Sequence, residues 1–147
     1  MTTFCYKYPR PAVTVDAVVF SLLPIPHTQV LLVQRKNSPF ENQWALPGGF
    51  LDMNETVEEA VKRELQEETG LLVKNLKHFK VFSSLDRDPR ARTISVAFVS
   101  TLTMEPLPLV AGDDAEDAQW FPIDKLPELA FDHKQIIEEA IKMYIDY

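Results

Sequence analysis

Residues 48–71 read GGFLDMNETVEEAVKRELQEETGL, and this stretch holds three of the four glycines in the chain. Where glycine is so scarce, each one marks a backbone position that needs positive φ or close approach. Between Gly49 and Gly70, Thr56–Thr69 reads as a helix, with Asn54 as its N-cap and Gly70 as its C-cap. On a wheel of ~100° per residue with Ala60 at zero, Val57, Val61 and Leu65 fall near ~60°, ~100° and ~140°. Glu64 and Glu68 fall inside that apolar sector, near ~40° and ~80°, and Glu67 lies at its edge near ~340°. Glu58, Glu59, Lys62 and Gln66 take the opposite side. A glutamate-rich helix is ordinarily a solvated face, but this geometry opposes that reading. Carboxylates gathered on an apolar side repel and lose hydration, at several kcal/mol each unless compensated. Hard oxygen ligands at i, i+3 and i+4 suit Mg²⁺ or Mn²⁺, which leave coordination positions for water and phosphate. Arg63 sits beside Glu67 on the wheel and can pair with it.

Working outward, Val13–Leu22 and Gln29–Gln34 read as strands, separated by a turn through Pro24, Pro26 and His27. Asn37–Gln43 is a polar loop, and Trp44–Pro47 leads into the glycine pair. Leu71–Phe82 holds another strand, and Thr93–Thr103 alternates as a long one. Ala118–Pro122 is a short strand after a Pro-rich, then acidic, connection. Asp132–Tyr144 is an amphipathic helix with Ile136, Ile137, Ala140, Ile141 and Tyr144 on one side. The pattern predicts an α/β fold in which a mixed sheet is covered by helices.

The 147 residues suit one domain, residues 1–147, with a real core. A formal net charge of -7 disfavours binding to a nucleic-acid polymer, which needs a basic field. A small anionic ligand remains compatible if metal ions screen it. One cysteine, Cys5, makes no internal disulfide, which points to a reducing cytoplasmic compartment. The apolar run Ala12–Ile25 is interrupted by Asp16 and Pro24, and no stretch reaches the ~18 apolar residues of a membrane span.

Taken together, Gly49, Glu55, Arg63-Glu64-Leu65-Gln66-Glu67-Glu68 and Gly70-Leu71 have the spacing G-x5-E-x7-R-E-U-x-E-E-x-G-U, where U is aliphatic. The segment resembles the signature of the Nudix hydrolase superfamily at every specified position. A chance match is on the order of 10⁻¹⁰ per window at average residue frequencies. The resemblance implies an α/β/α sandwich that cleaves a nucleoside diphosphate linked to another group. It makes Glu64, Glu67 and Glu68 metal ligands, with the Gly48 carbonyl added. Gly49, Glu55 and Gly70 shape the signature segment, and Arg63 orients a carboxylate. A helix-start role on the dipole is the other reading of Glu55. The general base is either a signature glutamate, Glu64 or Glu67, or an acid from a distant loop. Among Asp113, Asp114, Glu116 and Asp117, Glu116 is the preferred loop candidate, against a merely solvated turn.

Three further stretches are similar to a group of ADP-ribose pyrophosphatases within the superfamily: Asp86-Arg87-Asp88-Pro89-Arg90, Ala111-Gly112-Asp113-Asp114-Ala115 and Leu129-Ala130-Phe131-Asp132-His133. The implied reaction is ADP-ribose and water to AMP and ribose 5-phosphate, with a (d)NTP or oxidised nucleotide as the alternative substrate. Arg87, Arg90 or Arg92 clamps a phosphate or ribose, or else forms a salt-bridged loop with Asp86 and Asp88. Arg35 is a further phosphate contact. Trp44, Phe4, Tyr6 and Tyr8 stack an adenine or belong to the core or a dimer interface. His133 contacts the last helix rather than ligand. The aromatic N-terminal segment and family habit suggest a homodimer. A ligand-sensing regulatory domain is the remaining alternative; regulators of that kind carry an added DNA-binding domain and often a degraded signature, whereas the signature here is intact.

Overall fold

The computed structural model describes residues 3–112 and 115–145, apart from the side chain of Glu116. Its centre is a pair of parallel strands, β1 (Ala12–Ser21) and β6 (Thr93–Leu102), in register from Ala12↔Thr93 to Ser21↔Leu102. β5 (Lys77–Phe82) pairs antiparallel with β6 at one edge. On the other side lie β2 (Gln29–Arg35) and the two-residue β3 (Trp44–Ala45). β4 (Gly48–Phe50) pairs with β1, and β7 (Ala115–Pro122) pairs with β2. Among the described residues this makes a seven-stranded mixed sheet with two helices, α1 (Val57–Thr69) and α2 (His133–Tyr144).

Side-chain alternation along β1 sorts the core into two layers. Val15, Ala17 and Val19 pack with Ala60, Val61 and Leu65 of α1. Val18 and Phe20 pack with Ile136, Ile137 and Ala140 of α2. The α/β/α sandwich therefore follows from a strand that is apolar on both faces. β1 also changes partner along its length. Thr14, Val15 and Asp16 pair with Phe50, Gly49 and Gly48, whereas Phe20 and Ser21 pair with Val30 and Gln29. The cleft described below is lined from both sides of this change.

α1 has the apolar face expected from its periodicity: Ala60, Val61 and Leu65 are buried. Its start differs from expectation. Thr56, not Asn54, is the N-cap. The Thr56 hydroxyl accepts from the Glu59 N–H at 3.1 Å, and the Glu59 carboxylate accepts from the Thr56 N–H at 3.1 Å. Of the two, Thr56 has a glutamate three positions on, which this reciprocal arrangement requires, and Asn54 has Val57 there. Gly70 closes the helix at φ 77, a left-handed conformation, and donates to the Gln66 carbonyl. A distant loop supplies further caps, with Val110 N–H on the Thr69 carbonyl and Gly112 N–H on the Glu68 carbonyl. β3 and β4 are too short to read from periodicity. No helix of the described residues is long and apolar enough to cross a membrane.

Removing the cap by Thr56→Ala is expected to cost about 1 kcal/mol, while Asn54→Ala stays within ~0.5 kcal/mol. Urea unfolding midpoints of the two variants measure the contrast, and equal losses would show that Thr56 is not the dominant cap.

Candidate active site

The signature helix delivers its carboxylates around one guanidinium. Arg63 binds Glu55 through both oxygens, Nε to Oε2 at 2.9 Å and Nη2 to Oε1 at 2.7 Å. Its Nη1 donates to Glu64 at 3.0 Å and to Glu67 at 3.2 Å. The Asp52 N–H adds a bond to Glu55, so this carboxyl is pulled down to about 2, first by Arg63 and then by that amide. Arg63 is pushed above its ordinary value by the same partners. Gly49 has no room for a side chain here, because a Cβ would stand 2.6 Å from Glu64 Oε1.

Glu64 and Glu68 turn into a cleft of about 470 Å³, also lined by Asp16, Gly48, Arg35 and Arg90. Burial pushes Glu68 well above the carboxylate range, reinforced by its hydrogen bond to Glu64 and that neighbour's charge. The Gly48 N–H donates to Glu68 and acts in the opposite direction. Two hydrogen-bonded carboxyls in a half-buried cleft are a donor set that a hard divalent cation fits. Glu67 is 58% exposed and paired with Arg63, so it reaches this pair only by leaving the guanidinium. Among the described residues no three acidic, histidine or cysteine side chains converge as a ready cation cage.

Beneath the cleft lies a buried polar network. Asp16 accepts from the Ser95 hydroxyl, faces His133 Nε2 at 3.5 Å and lies 3.9 Å from Arg87 Nη2. Arg87 is bidentate on Asp132, at 3.0 and 2.8 Å. That ion pair takes up the carboxylate that would otherwise cap α2, which has no side-chain cap bond from Asp132. His133 Nδ1 accepts from the Leu46 N–H at 2.9 Å, and burial holds the imidazole below its usual value.

The rim is cationic and aromatic. The guanidinium of Arg35 lies 4.9 Å from the centre of the Phe131 ring, and Arg90 lies 5.5 Å from the same ring and 5.0 Å from Phe50. Phe131 holds a positive φ of 52, which is uncommon for a bulky residue. Burial and neighbouring Arg90 lower the hold of Arg35 on its proton. Asp88 anchors Arg90 through bonds at 3.1 and 2.8 Å.

The structure thus brings together Gly48, Gly49, Glu64, Glu68, Arg35 and Arg90 at one cleft. Arg87 also lines the cleft, but its side chain is 4% exposed and committed to Asp132, unlike the open clamp expected of it. Arg92 is exposed and does not line the cleft. Trp44 packs edge-on against Phe121 at 4.7 Å in the α2-side core, not in the cleft. Phe4, Tyr6 and Tyr8 are exposed, away from the cleft lining. Asp113, Asp114 and the Glu116 side chain lie outside the described residues. Asp117 bonds the Ala118 N–H and Gln119. Asp16, Phe50, Asp88 and Phe131 were not singled out as site residues. Asp16 carried a signal as a carboxylate inside an apolar strand, and Asp88 and Phe131 fall in two of the stretches similar to ADP-ribose pyrophosphatases.

The NUDIX domain family model matches residues 12–140 of this chain. The ADP-ribose pyrophosphatase of Methanocaldococcus jannaschii is 47% identical over 135 residues, covering 92% of this chain and 76% of that protein. The ADPR responsive transcriptional repressor NtrR of Acinetobacter baylyi is 31% identical over 137 residues, covering 90% of this chain but 54% of its own length. The NUDIX domain of Shewanella oneidensis NrtR, solved in complex with ADP ribose, superposes with a TM-score of 0.86 at 33% identity, covering 92% of this chain and 90% of that one.

The Glu55–Arg63 pair sets an acid limit. Glu55 lies at about 2 in the folded chain against 4.5 for the free group. Its stabilisation is complete above pH 4.5 and is lost as pH falls toward about 2. The urea-midpoint gap between wild type and Glu55→Gln is expected to be widest near pH 7 and to narrow below pH ~4. A gap that stays constant down to pH ~3 would contradict this assignment.

Proposed function

The chain belongs to the Nudix family, and on that premise we propose that it is a divalent-metal-dependent hydrolase of ADP-ribose, yielding AMP and ribose 5-phosphate. The observation that carries the reading is the 47% identity with an ADP-ribose pyrophosphatase across 92% of the chain, with every signature residue intact. The (d)NTP alternative has no observation in its favour.

Glu64 and Glu68 would hold the cation, with Gly48 beside them and Glu67 joining from the helix edge. Mg²⁺ and Mn²⁺ both suit an all-oxygen set. A cation so held supplies charge neutralisation for the diphosphate and a more acidic water. The protein's own groups do the rest. Arg63 keeps four like charges, Asp52, Glu55, Glu64 and Glu67, within reach of one another. Arg35 and Arg90 place positive charge opposite the carboxylates, where a substrate phosphate would lie across the cleft. The Phe131 ring stands against both guanidiniums, and the Phe50 ring against that of Arg90. The proton of the attacking water goes to a signature glutamate or to Glu116. Phe4, Tyr6 and Tyr8, exposed together at the N-terminal segment, support a homodimer, and a cytoplasmic site suits a chain with one exposed thiol.

The likeness to NtrR favours a second reading, a domain that binds ADP-ribose as a signal. The intact signature favours turnover instead.

AMP release is measured from ADP-ribose beside ATP, dGTP, 8-oxo-dGTP and NADH, with Mg²⁺ or Mn²⁺. ADP-ribose is expected to lead in kcat/KM by about tenfold or more. Glu64→Gln and Glu68→Gln are expected to lower kcat by ~100-fold or more. Arg90→Ala is expected to raise KM by about tenfold, the loss of one charge-assisted contact. A leading (d)NTP withdraws the substrate, and binding of ADP-ribose without turnover moves the assignment to the sensor.

A further inference from the structure

The backbone between β3 and β4 carries two consecutive amide donors, because Pro47 between them has none. The Leu46 N–H goes to His133 Nδ1 at 2.9 Å. The Gly48 N–H goes to Glu68. The Pro47 carbonyl is held by the Ala17 N–H at 2.8 Å. Residues 46–48 are thus a short rigid bridge, tied at one end to the start of α2 and at the other to the end of α1. We propose that His133 is a positioning residue whose imidazole fixes this bridge and through it sets Glu68 for the cation.

Several contacts hold the ring in place. His133 is 4% exposed, and its Nδ1 is an acceptor, so the proton of the neutral ring sits on Nε2 facing Asp16 Oδ1. Asp16 is itself fixed by Ser95 and stands against Gly48, where a Cβ would come within 2.6 Å of Asp16 Oδ1. The residue before His133 is locked by the Arg87–Asp132 ion pair. Both ring nitrogens therefore face groups in contact with Gly48 or its neighbours, one through Leu46 and one through Asp16. His133 also lines the cleft, with both ring nitrogens turned to protein groups.

The inference rests on the proposed metal-dependent hydrolysis, and its test separates the two. Mn²⁺ affinity of the full chain is measured without substrate, beside kcat and KM for ADP-ribose and a thermal melt. His133→Leu is expected to weaken Mn²⁺ binding and lower kcat by about tenfold each, with KM within about twofold. His133→Asn keeps an acceptor for Leu46 and is expected to recover most of both. A folded His133→Leu that binds Mn²⁺ and turns over like wild type overturns the proposal, as does equal impairment in both variants. Should His133→Leu not fold, ¹⁵N spectra of the wild-type imidazole decide. The Nδ1 resonance is expected to move when Mg²⁺ is added, and an unmoved resonance overturns the proposal. A wild-type chain that neither binds Mn²⁺ nor releases AMP overturns the functional reading itself.

Discussion

One guanidinium makes the glutamate helix tolerable. Arg63 holds Glu55 in a bidentate pair and reaches Glu64 and Glu67 from its other arm. Without that charge, Glu55 would lose the ion pair that ties the loop after β4 to α1. The carboxylates would separate into solvent by repulsion. With it, Glu55 is anchored and Glu64 is turned toward the cleft. Glu68 is left as the carboxyl that burial makes reluctant to ionise. Glu64 stands between the guanidinium and Glu68, and a divalent cation matches the Glu64–Glu68 pair.

The opposite wall is built on the same logic with the partners spread through the chain. Asp16 on β1, Ser95 on β6, Arg87 in the loop before β6, and Asp132 and His133 at the start of α2 are all brought together under the cleft. Each is buried or nearly so, and a buried charge persists only when paired. This network fixes where α2 begins and where the β3–β4 backbone runs. Above it, Arg35 and Arg90 converge on Phe131, giving an acidic chain one cationic, aromatic rim.

Local rules account for much of what was legible. The helix face, its glycine stop and the strands on both sides of the centre follow from periodicity and scarce glycines. Most boundaries moved by a residue, but β5 begins at Lys77 within the expected 71–82 and β7 begins at Ala115 rather than Ala118. Asn54 lost the cap to Thr56 because a capping box needs a partner three residues on, and Glu59 supplies it only for Thr56. Strands of two and three residues, β3 and β4, carry no period to detect. The sequence left two readings open for both Arg87 and Trp44, for one reason. A side chain's type shows what it can bind, whereas whether it faces a cleft or the core depends on residues far away in sequence. For Arg87 that residue is Asp132 and for Trp44 it is Phe121.

The sequence by itself determined the family, the α/β class and the row of glutamates on one helix, since all three depend on spacing within a single segment or strand. Only the tertiary structure decided which arginine is tied to Asp132 at the cleft, and that His133 joins α2 to the β3–β4 backbone. Those outcomes depend on contacts between segments 45 to 87 residues apart, as in Arg87–Asp132 and Leu46–His133. Desolvation and charge pairing act through space, and no local pattern records them.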